Sequence, residues 1–330
     1  MPIISVGHAI TDLFFEVEPE LLERFDLKPG SMSLVDARTA NEVLQHLEVV
    51  KCTSGGSAAN TAVGLSMLGI ESYFYGSLGD DEFGRSYIQD LSDAGVLYLQ
   101  PGAMTSATQS GHCIVLVTPD GQRTMLTHLG ASIEVASRAP ILDEQMSSIV
   151  IYLEGYLLDS PGGTQMLEHL VSTADSNVRI ALSLSDPGLV ERHRTELWQI
   201  LRHGTISVLF GNRDEVCELT QTHNELDALD RIREFVAQGA ITLGPAGSIV
   251  FDQKEIEKIE AVDIQVLDTT GAGDLFAAGY LFALEANLAL KARGQVGSLC
   301  SAEIISHLGA RPMTDLREII KQSLPQYATS

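Results

Sequence analysis

Seven residues, Asp268-Thr269-Thr270-Gly271-Ala272-Gly273-Asp274, separate a β-branched run (261–267) from an apolar, Ala-rich stretch (275–290). The pattern predicts a strand, a glycine turn and a buried helix. Such a turn exposes backbone N–H groups at a helix N-terminus, where orphan donors and the helix dipole both favour an anion. Asp274 is out of place there, because a carboxylate repels an anionic ligand. It reads either as a helix cap or as a base that takes a proton from a hydroxyl attacking phosphorus.

Beyond residue 148, strand-like segments (148–153, 178–184, 207–210, 240–243) alternate with helical ones (164–174, 189–201, 213–219, 225–238). That alternation predicts α/β architecture: a mostly parallel central sheet covered by helices on both faces. Residues 3–6 read as another strand. Its end, Gly7 to Asp12, lies where open α/β sheets bind ligands. Residues 57–68 and 72–76 continue as helix and strand, and Asp80 and Asp81 stand before a further helix as caps or metal ligands.

Two stretches break the rhythm. Residues 13–50 carry short helical segments (18–25, 38–47) around the turn Lys28-Pro29-Gly30. Residues 96–100 and 112–117 alternate like strands, have no helix between them, and are followed by a hairpin turn at Pro119-Asp120-Gly121. They predict a small antiparallel sheet apart from the parallel one. The expected organisation is a core of 1–12, 51–95 and 127–330 under a lid of 13–50 and 96–126, with a loosely attached tail from Gln322 to Ser330.

A net charge of −23 over 330 residues argues against nucleic acid or an anionic membrane as partner. An acidic chain that binds a nucleotide must supply backbone amides, Mg²⁺ and a few arginines instead. Cys52, Cys113, Cys217 and Cys300 are far apart and form no CxxC pair, which fits a reducing compartment and no zinc site. The N-terminus reads as a strand and not a signal peptide, and 275–290 is interrupted by Glu285 and short for a membrane span. The expectation is a cytoplasmic protein.

The run Asp268 to Asp274 followed by Ala278-Gly279 resembles one signature of the ribokinase-like (PfkB) carbohydrate and nucleoside kinases. Gly55-Gly56-Ser57-Ala58-Ala59-Asn60-Thr61-Ala62, followed by Gly69 and Gly79, resembles the other. Among the members, the adenosine kinases are closest in pattern, sharing a Leu-Lys-Pro turn at Leu27-Lys28-Pro29. The resemblance implies a ribokinase-like three-layer α/β/α fold with a small β lid, and transfer of the γ-phosphate of ATP to a hydroxyl with Mg²⁺ as cofactor. The partners it implies are ATP and a small nucleoside or sugar, in a monomer or a lid-paired homodimer.

It also implies roles. Asp274 is the base, and the N–H groups of Gly271, Ala272 and Gly273 hold the γ-phosphate, where small residues let the backbone come close. Asp268 and Thr270 match positions that coordinate K⁺ in some members; Asp268 otherwise only ends a strand. Asn212 and Glu215 match a pair that organises Mg²⁺ through water, although the same spacing makes a capping box. Thr242, Gly244 and Gly247 lie on the segment beside the nucleotide, and 300–309 flanks the adenine, with His307 packed or capping. Asp12, Gly56 and Asn60 match residues that bind sugar hydroxyls. Arg123 resembles an arginine that adenosine kinases bring onto the transferred phosphoryl group when the lid closes. Ile10, Leu34 and Tyr156 would form an apolar slot fit for a purine.

The chain departs from the animal adenosine kinases at His8, where they carry Asn, and at Met32, where they carry Gln. A nucleoside such as adenosine leads as acceptor. The rivals are a free-sugar kinase acting on ribose, fructose or 2-keto-3-deoxygluconate, and a non-catalytic sensor of a nucleoside or sugar.

Overall fold

The computed structural model describes residues 1–47, 50–102, 107–119, 122–137, 139–140 and 148–327. Asp120 and Gly121 of the expected hairpin turn lie outside them, as do the last three residues of the tail.

The strands, in chain order, are β1 (Ile3–Val6), β2 (Ile10–Glu16), β3 (Met32–Leu34), β4 (Lys51–Gly55), β5 (Ser72–Tyr75), β6 (Leu97–Leu99) and β7 (Gly111–Val117). They continue with β8 (Arg123–His128), β9 (Ile149–Glu154), β10 (Val178–Ser183), β11 (Ile206–Asn212), β12 (Gln238–Thr242), β13 (Ser248–Phe251) and β14 (Ile256–Ile259). A nine-stranded sheet has the order β14-β13-β12-β11-β10-β9-β1-β5-β6. It is parallel from β12 to β6, and β13 and β14 add an antiparallel edge.

Buried apolar residues alternate along its strands, as the pleat demands. Ile4, Val6, Ile151 and Leu153 face one layer, which holds α5 (Gly163–Thr173), α6 (Pro187–Arg192), α7 (Arg194–Arg202), α8 (Arg213–Thr220) and α9 (Glu225–Ile232). Ile3, Val150 and Tyr152 face the other, which holds α3 (Ser57–Met67), α4 (Glu82–Asp93), α10 (Ala272–Glu285) and α11 (Leu290–Ile305). The result is the expected three-layer α/β/α fold. The predicted helix over 189–201 is divided at His193, which caps α6 and α7 alike with φ −114° and ψ 24°.

The second sheet, β3-β8-β7-β2-β4, pairs β7 with β8 and β2 with β4 antiparallel, while β2–β7 and β3–β8 run parallel. One face is covered by α1 (Pro19–Arg24) and α2 (Ala37–Leu44), with Leu13, Phe15, Ile114 and Leu126 packed on Leu22, Ala40 and Val43. Register and alternation put Ile10, Asp12, Phe14, Leu34 and Arg123 together on the opposite face.

Three expectations need correction. The strand at 96–100 is β6, and it pairs parallel with β5 in the large sheet, because α4 supplies the crossover that precedes it. Residues 10–16 and 51–55 form strands of the small sheet, so Asp12 sits on a strand and not in a loop. Residues 261–267 form no strand: β14 is already the sheet edge, the segment is exposed throughout, and Leu267 N–H donates to Ile305 O (2.8 Å) instead. Among the described residues no helix is long and apolar enough to cross a membrane.

Candidate active site

The parallel strands end together at Glu154 (β9), Ser183 (β10), Asn212 (β11) and Thr242 (β12), and the predicted site residues gather above this edge. Gly271 is the N-cap of α10 in the left-handed region, φ 80°, so Asp274 is not the cap but the third helical residue. Its carboxylate is half-buried. Oδ1 accepts from Ser57 Oγ (2.6 Å) and Oδ2 from Asn60 Nδ2 (2.8 Å), both from the first turn of α3. Burial raises the Asp274 pKa, while Ser57, Asn60 and Arg311 pull it back.

The anion cradle is the first turn of α10. Gly273 and Asp274 carry N–H groups with no intrahelical acceptor by position, and a Cβ added at Gly273 meets nothing within 4 Å. Ala272 N–H closes the turn on Thr269 O (3.2 Å). Asn60 adds an unsatisfied acceptor: its Oδ1 is buried with no hydrogen-bond partner among the described residues.

Two predicted residues lie on the small sheet, Asp12 on β2 and Arg123 on β8, and a third, Gly56, directly follows β4 as the N-cap of α3. Asp12 lies against Gly55, where a Cβ would stand 2.2 Å from Asp12 Oδ2. Burial pushes its pKa up to about 7 against the pull of Arg311 and Arg123. Gly56 has φ 93°, and a Cβ there would meet His8 O at 2.3 Å, so only glycine fits. Arg123 reaches from β8 to Asp268 and, at 3.3 Å, to Thr270 Oγ1, with its guanidinium 5.8 Å from the Phe14 ring centroid.

Asp268 does more than end a segment. Oδ1 accepts from Thr270 N–H (3.1 Å) and Oγ1 (2.8 Å), and Oδ2 accepts from Gly309 N–H (2.9 Å) and Arg123. A guanidinium therefore already sits against the carboxylate that the resemblance assigned to K⁺.

Asn212 and Glu215 form the full capping box of α8: Asn212 Oδ1 accepts from Glu215 N–H and Glu215 Oε2 from Asn212 N–H, each at 2.9 Å. Glu215 Oε1 also accepts from Asn212 Nδ2 (2.6 Å), and burial raises the Glu215 pKa to about 7. The two readings of this pair coexist, since a carboxylate oxygen with one donor has a lone pair left for a water of a hydrated ion. Asp81, by contrast, is a cap of α4, accepting from Gly84 N–H and from Ser110, and Asp80 pairs with Arg85 at the surface.

Thr242 pairs with Asn212 in register. Gly247, with φ 89°, lets the β12–β13 connection cross Ile259 O, which a Cβ would meet at 1.9 Å, whereas Gly244 faces open space. A cleft of about 460 Å³ borders this connection, and one of about 470 Å³ lies next to it between β14 and α11. The smaller is lined by Pro245 and Ala246 of the connection and the larger by Lys291, Gln295, Ser298 and Leu299 of α11, and Lys258 and Glu260 line both. His307 packs on Glu303 of α11 (3.3 Å). Ile10 is buried, Leu34 is exposed on the edge strand β3, and Tyr156 hydrogen-bonds Ser185 O (3.4 Å) beside the main core.

Sequence reasoning missed Glu154 and Arg311. Glu154 is a lone carboxylate ending the apolar run Ile149–Glu154, a legible signal. It is fully buried, accepts from His8 N–H (2.7 Å) and Ala58 N–H (2.8 Å), and burial raises its pKa to about 8. Arg311 has no such signal, because its partners Ser54 and Ala59 lie over 250 positions away.

The model of the pfkB family carbohydrate kinases matches residues 25–316. Among solved structures, a probable sugar kinase from Rhizobium etli is 32% identical with a TM-score of 0.86, covering 98% of each chain. The adenosine kinase of Sinorhizobium meliloti is 31% identical with a TM-score of 0.85, covering 98% of this chain and 99% of its own. The adenosine kinase of Saccharomyces cerevisiae is 25% identical over 93% of this chain and 96% of its own.

Proposed function

The chain belongs to the pfkB family of carbohydrate kinases, phosphotransferases that act on hydroxyl groups, and on that footing we propose that it phosphorylates the primary hydroxyl of a ribose-containing acceptor, adenosine or another nucleoside first. The observation that carries this reading is the pair Asp274 and Asn60. A carboxylate and an orphan amide oxygen stand side by side, next to helix N–H groups that suit a phosphate.

In this reading Asp274 takes the proton of the attacking hydroxyl, and the first turn of α10 gathers the negative charge that builds on the transferred group. Asp12 and Asn60 accept from ribose hydroxyls, and Gly55 and Gly56 clear the space they need. Ile10 and Leu34, on the same face of the small sheet as Asp12, offer apolar contact to a base, and Tyr156 is assigned to the same slot. The small sheet acts as the lid, and Arg123 rides on it. ATP lies along the Thr242–Gly247 connection, its base toward the neighbouring clefts. Mg²⁺ fits as an ion held by phosphates and water, with Glu215 accepting from that water, and when bound it neutralises charge on the phosphates. K⁺ does not fit beside Asp268 while Arg123 is engaged there.

The 32% identical probable sugar kinase favours a second reading, a free sugar as acceptor. ADP release measured with adenosine, inosine, ribose, fructose and 2-keto-3-deoxygluconate separates the two. Turnover of free sugars with none of either nucleoside would discard the leading acceptor class.

A further inference from the structure

Three consecutive residues, Gly309-Ala310-Arg311, touch both glycine-rich motifs of the site. Gly309 N–H holds Asp268 Oδ2. Ala310 packs on the cap of the cradle, since a Cβ built on Gly271 would stand 2.9 Å from its own. Arg311 grips the other motif: Nη1 donates to Ala59 O (3.0 Å) and Nη2 to Ser54 Oγ (2.5 Å), and Ser54 in turn donates to Asp90 of α4.

We propose that Arg311 is a positioning residue for the phosphoryl transfer, fixing the Ser54–Asn60 segment against the base and supplying the positive charge that offsets Asp12 and Asp274. The inference rests on Asp274 being the base. Ala59 is one peptide from Asn60, which donates to Asp274, and Ser54 is one peptide from Gly55, which abuts Asp12. A planar guanidinium reaches both partners in fixed directions at once, as a lysine ammonium cannot.

The electrostatic part follows from what surrounds it. Asp274 faces Ser57 and Asn60 from α3, Tyr152 and Glu154 from β9 and, more remotely, Glu215 from α8. Arg311 faces Tyr87 and Asp90 from α4, Asp12 from β2 and Asp274 from α10. Arg123 is committed to Asp268, so among the described residues Arg311 is the cation that acts on Asp274. A residue that only stapled two loops would give stability and leave the titration of the base alone.

The test is the pH dependence of kcat from pH 5 to 9, with ATP and whichever acceptor of the panel is turned over, in the wild type, R311M and R311K. In R311M the acid limb moves up by about one pH unit. In R311K it stays with the wild type while the plateau falls about tenfold, because the fork is lost. A limb in folded R311M that coincides with the wild type overturns the proposal, as does an R311K limb displaced as far as that of R311M. Should R311M fail to fold, R311K decides alone, and a wild-type plateau there overturns the proposal. Failure of the underlying reading is seen separately, as turnover surviving in D274N with Arg311 intact.

Discussion

Asn60 and Asp274, 214 positions apart, are joined by a 2.8 Å hydrogen bond from Nδ2 to Oδ2. The bond unites the two glycine-rich motifs and orients the carboxylate from α3, while Asn60 Oδ1 has no hydrogen-bond partner among the described residues. Together with Ser57 it opposes the rise in pKa that burial imposes. D274N keeps the shape and removes the proton acceptor. Expected is a loss of ~10²-fold or more in kcat with acceptor affinity within about tenfold of the wild type. Isothermal titration and steady-state kinetics on the same preparation decide it; undiminished kcat rejects the base assignment.

Arg123 and Asp268 make the corresponding link from the small sheet to the cradle, with Thr270 as a third member. If this arginine meets the transferring phosphoryl group from its place beside Asp268, its loss weakens the transition state more than the ground state. R123M should lower kcat about 10²-fold and change the acceptor KM by less than about fivefold. A mutant that shows only a raised KM would mark Arg123 as a lid latch and nothing more.

The same ion pair bears on monovalent cations. A guanidinium against Asp268 already supplies the charge that K⁺ would bring, and two cations at one carboxylate repel each other. Replacing Na⁺ by K⁺ at constant ionic strength should change turnover by less than about twofold. Activation beyond tenfold would show that Arg123 leaves Asp268 during the reaction.

Much of this was legible in the sequence, and the exceptions have physical causes. The βα alternation beyond residue 148 gave the layers because each parallel strand is a short apolar run with its own helix. The two motifs pointed to Gly56, where close backbone approach leaves no choice of residue, and to Asp274 and Asn60, which the fold brings within a hydrogen bond of each other. The segment 261–267 misled, since β-branched residues favour a strand only when a neighbour is there to pair with it. Strand β6 was misplaced because strand-like alternation does not say which sheet a strand joins. Arg311 was invisible, its partners being long-range contacts with no local pattern.

Gly55 offers a steric test of the acceptor pocket. It has ordinary backbone angles, so a methyl group there would act through space alone, and the atoms it meets are those of the Asp12 carboxylate, 2.2 Å away. G55A must push Asp12 aside or fail to close the small sheet. The expected result is an acceptor KM raised about tenfold or more, with ATP KM within about twofold. Unchanged acceptor KM would mean that Asp12 does not touch the acceptor.

Stability should depend on pH in a direction opposite to the usual acidic protein. Glu154 is raised to about 8, and Asp12 and Glu215 to about 7, each by burial, so between roughly pH 4.5 and these values the folded state holds protons that the unfolded chain has lost. The contribution of these three groups is therefore greatest below the unfolded carboxylate range and falls as pH rises through the window, by at most ~1.4 kcal/mol per pH unit for each group, against a smaller opposing rise below about pH 6.5 from His8, whose pKa burial lowers to about 4. Thermal melts of the ligand-free protein from pH 5 to 8 should show a falling Tm. In E154Q the fall is shallower, most clearly between pH 7 and 8, where Glu154 is the last of the three still protonated. A wild-type Tm that rises across this interval would place an ionised carboxylate at Glu154, held by His8 and Ala58 N–H groups alone, and would reverse the sign of its contribution.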